Sequence, residues 1–422
     1  MAEPLILLLM LAAFILFAVL FKIPMGVSLA LAALAGALAG GEGIALRHLV
    51  EGAFGFFDII LIIASAMIFM KVLQESGILD GLVAAILKTF HKNRILLLLT
   101  VMLFLMFPGM ITGSSLAAVL STGPLIAPVL MKLGLPRLKT AAFVAMGAIL
   151  GMIAPPVNIP VMIMGGGVDM PYAGLTAPLL IIVVPLAVII ALWLGLKDIK
   201  AVSADEMKAL LPPGVPEKKK FRLYLPLLLV LALMIVQAVH LSFIPDPGLP
   251  AIFFAGSLAG LGCGRRFNFL KATQKAVEEA MPILSLLAGV GMFIQVMTLT
   301  GARGWAVSTF LSLPPAWLYA SISVGLPLFG GVSAFGSASI LGVPFLLALV
   351  NKNALISASA LSAIVGIGDL MPPAAMAARF SAKVVGERRF SGVLRHCLVP
   401  ALFVLAVSLG VLLLAPLLEK IL

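Results

Sequence analysis

The chain has 422 residues, 62% of them apolar and only 11% charged, with a mean hydropathy of +1.22. Soluble domains run about 45–50% apolar and about 25% charged, and disordered chains need low hydrophobicity, so a water-soluble enzyme and a disordered chain are both excluded. The net charge of +11 reads as basic loops facing the cytoplasm and anionic lipid rather than as a nucleic-acid surface.

The apolar runs are helix-length, unlike the alternating strands of about 10 residues in a membrane β-barrel. A crossing helix needs about 20 apolar residues, so there is room for roughly a dozen. The first run, 5–21, starts at Glu3 and ends at Lys22. A signal peptide has a positive start and a small-residue cleavage site, so this run is read as a retained membrane helix. Apolar segments 24–40, 56–76, 95–107, 114–133, 139–153, 157–166 and 174–196 follow. Next comes Lys197–Arg222, with seven Lys or Arg, four Asp or Glu and three prolines. The positive-inside rule places it in the cytoplasm. Beyond it lie 223–243, 249–262, 281–300, 305–328, 333–350, 354–370, 374–386 and 397–418. Four segments, 95–107, 157–166, 249–262 and 374–386, are too short to cross and are expected to be re-entrant or broken helices. Residues 386–396 read as a basic amphipathic connector at a membrane surface.

This organisation predicts a first repeat over 1–196, a linker over 197–222 and a second repeat over 223–422. The repeats share marks. At an offset of 224, Phe69, Val72 and Gly77 match Phe293, Val296 and Gly301. At an offset of 217, Gly151 matches Gly368, and Pro155–Pro156 matches Pro372–Pro373. Duplication with broken helices in matching places marks a secondary transporter.

Each diproline lies inside an apolar segment. Proline removes a helix hydrogen bond and pushes the preceding residue toward extended geometry. Irregular backbone at membrane depth is tolerated only where protein or a polar cavity satisfies it. Freed carbonyls can ligate a cation, and the next half-helix can face an anion. A simple kink that aids packing is the other reading. Upstream of each diproline stands a Gly/Ser stretch, PGMITGSSLAAVLSTGP at 108–124 and GGVSAFGSASILGVP at 330–344. Small residues also serve helix packing, but Pro-Gly and Gly-Gly pairs inside apolar runs point to hairpins that dip into the membrane and return. Hydroxyl and carbonyl oxygens there suit a hard cation.

The segments GSSLAAVLSTGPLIAPVLMKLGLP, ILGMIAPPVNIPVMIMGGG and GIGDLMPPAAMAARFSAKVVG resemble the large membrane subunit of tripartite ATP-independent periplasmic (TRAP) transporters. That family belongs to a broader group of elevator-type anion carriers. The resemblance implies an all-α polytopic fold of two inverted repeats with re-entrant hairpins and unwound helices. It implies Na⁺-driven uptake of an organic acid across the bacterial inner membrane. It also implies two partners, a small four-helix membrane subunit and a periplasmic substrate-binding protein.

Carried over by position, the first Na⁺ site uses Gly113, Ser114 and Ser115, with backbone near Ala154 and Pro155. The second uses Gly336, Ser337, Gly366 and Gly368. Substrate contacts fall to Asn158, Pro156, Pro373 and Arg379. Met371 stands where the family often has a hydroxyl residue, two positions after Asp369. An ionisable group inside an apolar segment is a functional candidate by default. Asp369 is therefore a cation ligand or a proton carrier, unless it pairs with Arg379 or faces water at a boundary; as a proton carrier it would serve a stand-alone proton-coupled anion carrier, the alternative to Na⁺-driven uptake. Arg379 and Lys383 also fit as anchors at a helix end, and Lys71 and Glu75, four apart, fit as a same-helix pair.

Other chemistry finds no support. Cys263 and Cys397 make no bridge framework, and the four histidines are scattered, so neither a transition-metal site nor a cofactor is expected. A Ser/His pair for intramembrane proteolysis and a GxxxxGK[ST] loop are both missing.

Overall fold

A computed structural model describes residues 2–199, 221–239, 247–349 and 351–420. Residues 200–220, most of the expected linker, lie outside the described residues. The described chain is all-helical. Seven of its helices are long and apolar enough to cross a membrane: Glu3–Leu20, Phe57–Glu75, Arg94–Thr112, Ser115–Lys132, Thr176–Gly195, Phe269–Leu299 and Phe390–Leu413.

Local chemistry sets the helix ends. Asparagine side chains accept backbone N–H bonds at the starts of four helices: Asn93 from Ile95 and Leu96, Asn158 from Val161, Asn268 from Lys271, and Asn353 from Leu355 and Ile356. Such caps satisfy donors that the helix itself leaves open. Gly77 and Gly301, matched in the sequence, both precede a helix in the left-handed conformation, at φ 75 and 74.

The same order of elements occurs twice. A hairpin of Arg94–Thr112 and Ser115–Lys132 is followed by the helix Arg137–Met152, a break and the half-helix Ile159–Gly167. A second hairpin rises through Pro315–Gly330 and returns through Ala334–Ala348. It leads to Ala354–Gly366, a 3₁₀ turn over Ile367–Leu370, a break and the half-helix Met376–Val384. Both diprolines sit in the breaks. Each break is tied to its hairpin in the same way, by the first N–H after the prolines. Val157 N donates to Met110 O at 3.0 Å, and Ala374 N donates to Gly331 O at 2.9 Å.

Glycines let these backbones touch. A Cβ on Gly109 would lie 2.8 Å from the carbonyl carbon of Gly151, and one on Gly330 would lie 2.7 Å from Gly368 Cα. The outer helices cross the same way. A Cβ on Gly289 would meet Gly26 O at 2.2 Å, and one on Gly291 would meet Gly52 O at 1.9 Å. Small residues at such crossings are how membrane helices approach closely.

The halves exchange partners. Helix Met25–Gly40 packs along Phe269–Leu299, while Gly248–Gly260 packs along Phe57–Glu75, with Phe69 stacked on Phe253 at 6.0 Å. Half-helix Ile159–Gly167 leans on the returning arm of the second hairpin, where Gly167 faces Val343. Half-helix Met376–Val384 leans on Ser115–Lys132, where Val384 faces Gly123.

Several element boundaries differ from expectation; the expected 281–300, for one, starts at Phe269 in the 31-residue helix Phe269–Leu299. Residues 95–107 belong to the 19-residue helix Arg94–Thr112, which continues through Pro108; within it the Thr100 and Thr112 hydroxyls donate to the carbonyls of Leu96 and Pro108. Segment 305–328 is two helices, Ala302–Ser312 and Pro315–Gly330, parted at Leu313–Pro314. The residue before a proline is pushed out of helical geometry, and Leu313 is extended. The expected surface connector 386–396 is largely the first two turns of Phe390–Leu413.

Candidate functional site

The two hairpin tips meet at one cavity of about 540 Å³. This volume suits a small organic molecule, since ligand pockets run about 300–1,000 Å³. Ser114 and Ser115 reach it from the first tip, and Val332, Ser333 and Ala334 from the second. Gly330, Asp369, Ala374 and Met376 also line it, as do Lys71, Gln74, Glu279 and Pro282.

The tips are built alike. Gly113 ends the first arm in the left-handed conformation at φ 64, and Ser114 then caps the returning helix through its Oγ, which accepts Ala117 N at 3.2 Å. At the second tip Ser333 does the same for Gly336 N at 3.0 Å. Both cap serines are nearly fully buried and line the cavity. The helix begun at Ser115 also points its positive end there, a favourable place for an anion.

Asp369 links the halves. It sits in the 3₁₀ turn before the second break, and its Oδ2 accepts a hydrogen bond from Ser115 Oγ at the first tip. A carboxylate at this depth needs such a partner. Arg379 does not supply one. Its exposed guanidinium lies over the Phe390 ring, 4.9 Å from the centroid, outside the cavity lining. Lys383 lies over Phe380 at 4.9 Å. Lys71 does not pair with Glu75 either. Its Nζ meets Glu279 Oε1 at 2.5 Å, across 208 positions of sequence.

Of the residues expected to bind cation or substrate, Ser114, Ser115 and Asp369 line the cavity. The others lie outside its lining. Gly113 and Gly366 face the side chains of Ile159 and Ile153 with no room for a Cβ, and Gly368 faces the backbone of Gly330. Gly336 and Ser337 lie in the returning arm rather than at the tip, and Ser337 Oγ donates back to Leu326 O at 2.7 Å. Ala154 and Pro155 are buried in the first break, whereas Pro373 in the second is exposed. Pro156 O accepts the Tyr172 hydroxyl at 2.8 Å.

Asn158 is fully engaged. Its Nδ2 donates to Ile153 O at 2.7 Å and to Ser362 Oγ at 3.0 Å, and its Oδ1 caps Val161 N at 3.0 Å. It therefore holds the first break to the second repeat, away from the cavity lining. Asn158→Leu should cost about 2–4 kcal/mol, because it strands several buried groups, and thermal unfolding in detergent measures the loss. Sequence reasoning missed Ser333 and Glu279. The repeated pattern of glycine, then serine, at the two tips carried the first signal; no local pattern carried the second.

Comparison with known proteins now decides the family. Residues 9–377 match the family described as CitMHS, citrate transporter. The chain belongs to that family. The motifs resemble the TRAP large subunit, but the matching family is the citrate transporter family. No curated protein matches the chain. Among solved structures, the Alcanivorax borkumensis YdaH transporter is similar over 92% of this chain and 97% of its own, at TM-score 0.63 and 14% identity. The Neisseria gonorrhoeae MtrF structure, described within a class of antimetabolite efflux pumps, is similar over 87% of this chain and 83% of its own, at TM-score 0.57 and 14% identity. At these identities the likeness is one of fold. Membership of CitMHS makes this multi-pass membrane protein a secondary transporter rather than an enzyme.

Proposed function

We propose that the protein imports an organic anion bearing carboxylates across the bacterial inner membrane, and that it couples entry to a cation held at Asp369. The hydrogen bond from Ser115 to Asp369 carries this reading, because it joins the first tip to the second broken helix inside the cavity. Citrate is the first substrate to test, given the family. The two arrangements of hairpin, break and half-helix act as inverted repeats, and the unit they form moves against the remaining helices in elevator fashion.

Na⁺ is the first reading of the cation. A hydroxyl and a carboxylate from different halves offer the hard oxygens it prefers. Each Na⁺ moving inward contributes about 2.3 kcal/mol per 100 mV; two balance the charge of a dianion, and a third lets the membrane potential drive accumulation. A proton is the second reading. It needs the Asp369 carboxylate alone, and Gly366, Gly368, Ala154 and Pro155, the further Na⁺ ligands expected from sequence, do not line the cavity. TRAP-type partner subunits rest on the motif resemblance only.

Thermal stability of the purified protein in Na⁺ against choline at equal ionic strength tests the coupling ion. A ligand that binds only the folded state stabilises it by RT ln(1 + [L]/Kd). A saturable stabilisation specific to Na⁺ supports the first reading. No Na⁺ preference, with citrate uptake driven by a pH gradient, supports the second. Citrate uptake by the chain alone in liposomes removes the need for TRAP-type subunits.

A further inference from the structure

The cavity contains a basic side chain that no cation or tip role uses. Lys71 lies on helix Phe57–Glu75 of the first half and lines the cavity beside Gln74. Its ammonium is bound to Glu279, from helix Phe269–Leu299 of the second half, at 2.5 Å. The two partners are unequally placed. The Lys71 side chain is 13% exposed and the Glu279 side chain 53%. The cation is thus the more enclosed of the two and its partner the more exposed.

An ion pair of this kind is costly for a carrier of anions. Among the described residues the charged side chains lining the cavity are Lys71, Glu279 and Asp369, so with Lys71 neutralised these offer an incoming carboxylate no free positive charge. Glu279 is itself a carboxylate bound to the ammonium that such a substrate would seek. A half-buried charge in a membrane protein needs a partner whenever the site is empty, and Glu279 supplies one that can be exchanged.

We infer that Glu279 is an intramolecular stand-in for the substrate: it holds Lys71 while the cavity is empty, and a substrate carboxylate displaces it to bind the Lys71 ammonium. Lys71 is then a substrate-binding residue that selects for carboxylate, and Glu279 a positioning residue that lowers apparent affinity by competition. Affinity for a site that is only partly available falls by the available fraction. Glu279 also keeps the bare ammonium from holding a substrate too long. This inference rests on the anion-carrier reading above.

The test uses the full chain in liposomes, with labelled citrate as probe and succinate as competitor. Glu279→Gln removes the competing charge and keeps the shape, so KM for citrate should fall about threefold to tenfold. Lys71→Gln should raise KM at least tenfold and weaken competition by succinate. Lys71→Arg, which keeps the charge, should recover most of the loss. The double variant should behave as Lys71→Gln alone, since without the ammonium Glu279 has nothing to block. The cation dependence of uptake should persist in Glu279→Gln. A Glu279→Gln variant with unchanged or raised KM overturns the inference while wild-type citrate transport stands. A wild type that neither transports citrate nor is stabilised by it overturns the anion-carrier reading, and this inference with it.

Discussion

Asp369→Asn should cut gradient-driven accumulation of citrate by at least tenfold while leaving the protein folded. Asparagine has the shape of aspartate, and its Oδ1 still accepts the Ser115 hydrogen bond that the carboxylate receives. The two halves therefore remain joined at the cavity, and only the charge is removed. A tenfold loss of cation affinity corresponds to about 1.4 kcal/mol. The manner of failure identifies the ion. If Na⁺ binds here, its stabilisation of the purified protein shrinks in the variant. If a proton binds here, pH-driven uptake stops while exchange of internal for external citrate continues, because a permanently neutral group crosses without a proton. Full coupled uptake by Asp369→Asn would remove this residue from the mechanism. Ser115→Ala is the companion variant, since it deletes the same contact and keeps the charge.

Gly151→Ala should lower stability by about 1–3 kcal/mol or more, the usual cost of overpacking a filled interior. A Cβ there would stand 2.2 Å from Met106 O and 2.8 Å from Met106 Cα. Both are backbone atoms of the first hairpin, so no side chain can turn aside. Hairpin and broken helix must separate, which also strains the bond from Val157 to Met110. Gly410→Ala is the control. It is a glycine inside Phe390–Leu413 with nothing within 4 Å of its added Cβ, and alanine is the better helix former there by about 1 kcal/mol. Thermal unfolding of the two variants should shift in opposite directions. Equal shifts would show that the Gly109–Gly151 contact does not hold the hairpin in place.

The architecture was legible where chemistry is local. Diprolines break helices whatever surrounds them, so Pro155–Pro156 and Pro372–Pro373 located both breaks. Gly77 and Gly301 matched because both occupy a left-handed turn. Ser115 and Asp369 could be nominated separately from small-residue and charge patterns. Their contact could not, because nothing in either segment encodes a partner 254 residues away. The same limit hid Lys71 and Glu279, where the nearer Glu75 offered itself by spacing alone. Asn158 is ambiguous in the sequence for another reason. A polar residue after a break suits a ligand contact and a helix cap equally, and only its three hydrogen bonds distinguish them. The expected second cation site, Gly336–Ser337, lies a few residues past the tip at Gly331–Ser333, where the same residue types occur.

The exchange of half-helices has a consequence for how the protein is made. The first hairpin is complete once Lys132 has left the ribosome, yet one of the surfaces that pack on its returning arm, beside Arg94–Thr112 and Arg137–Met152, is the late half-helix Met376–Val384. During most of synthesis that arm, with its serines and its tip, has only its own neighbours and lipid against it. The second hairpin is better served, because Ile159–Gly167 is already in place when Ala334–Ala348 emerges. Assembly is therefore asymmetric in time although the finished arrangement is reciprocal. A chain stopped before residue 376 would keep every element of the first half and still lack one wall of its first hairpin.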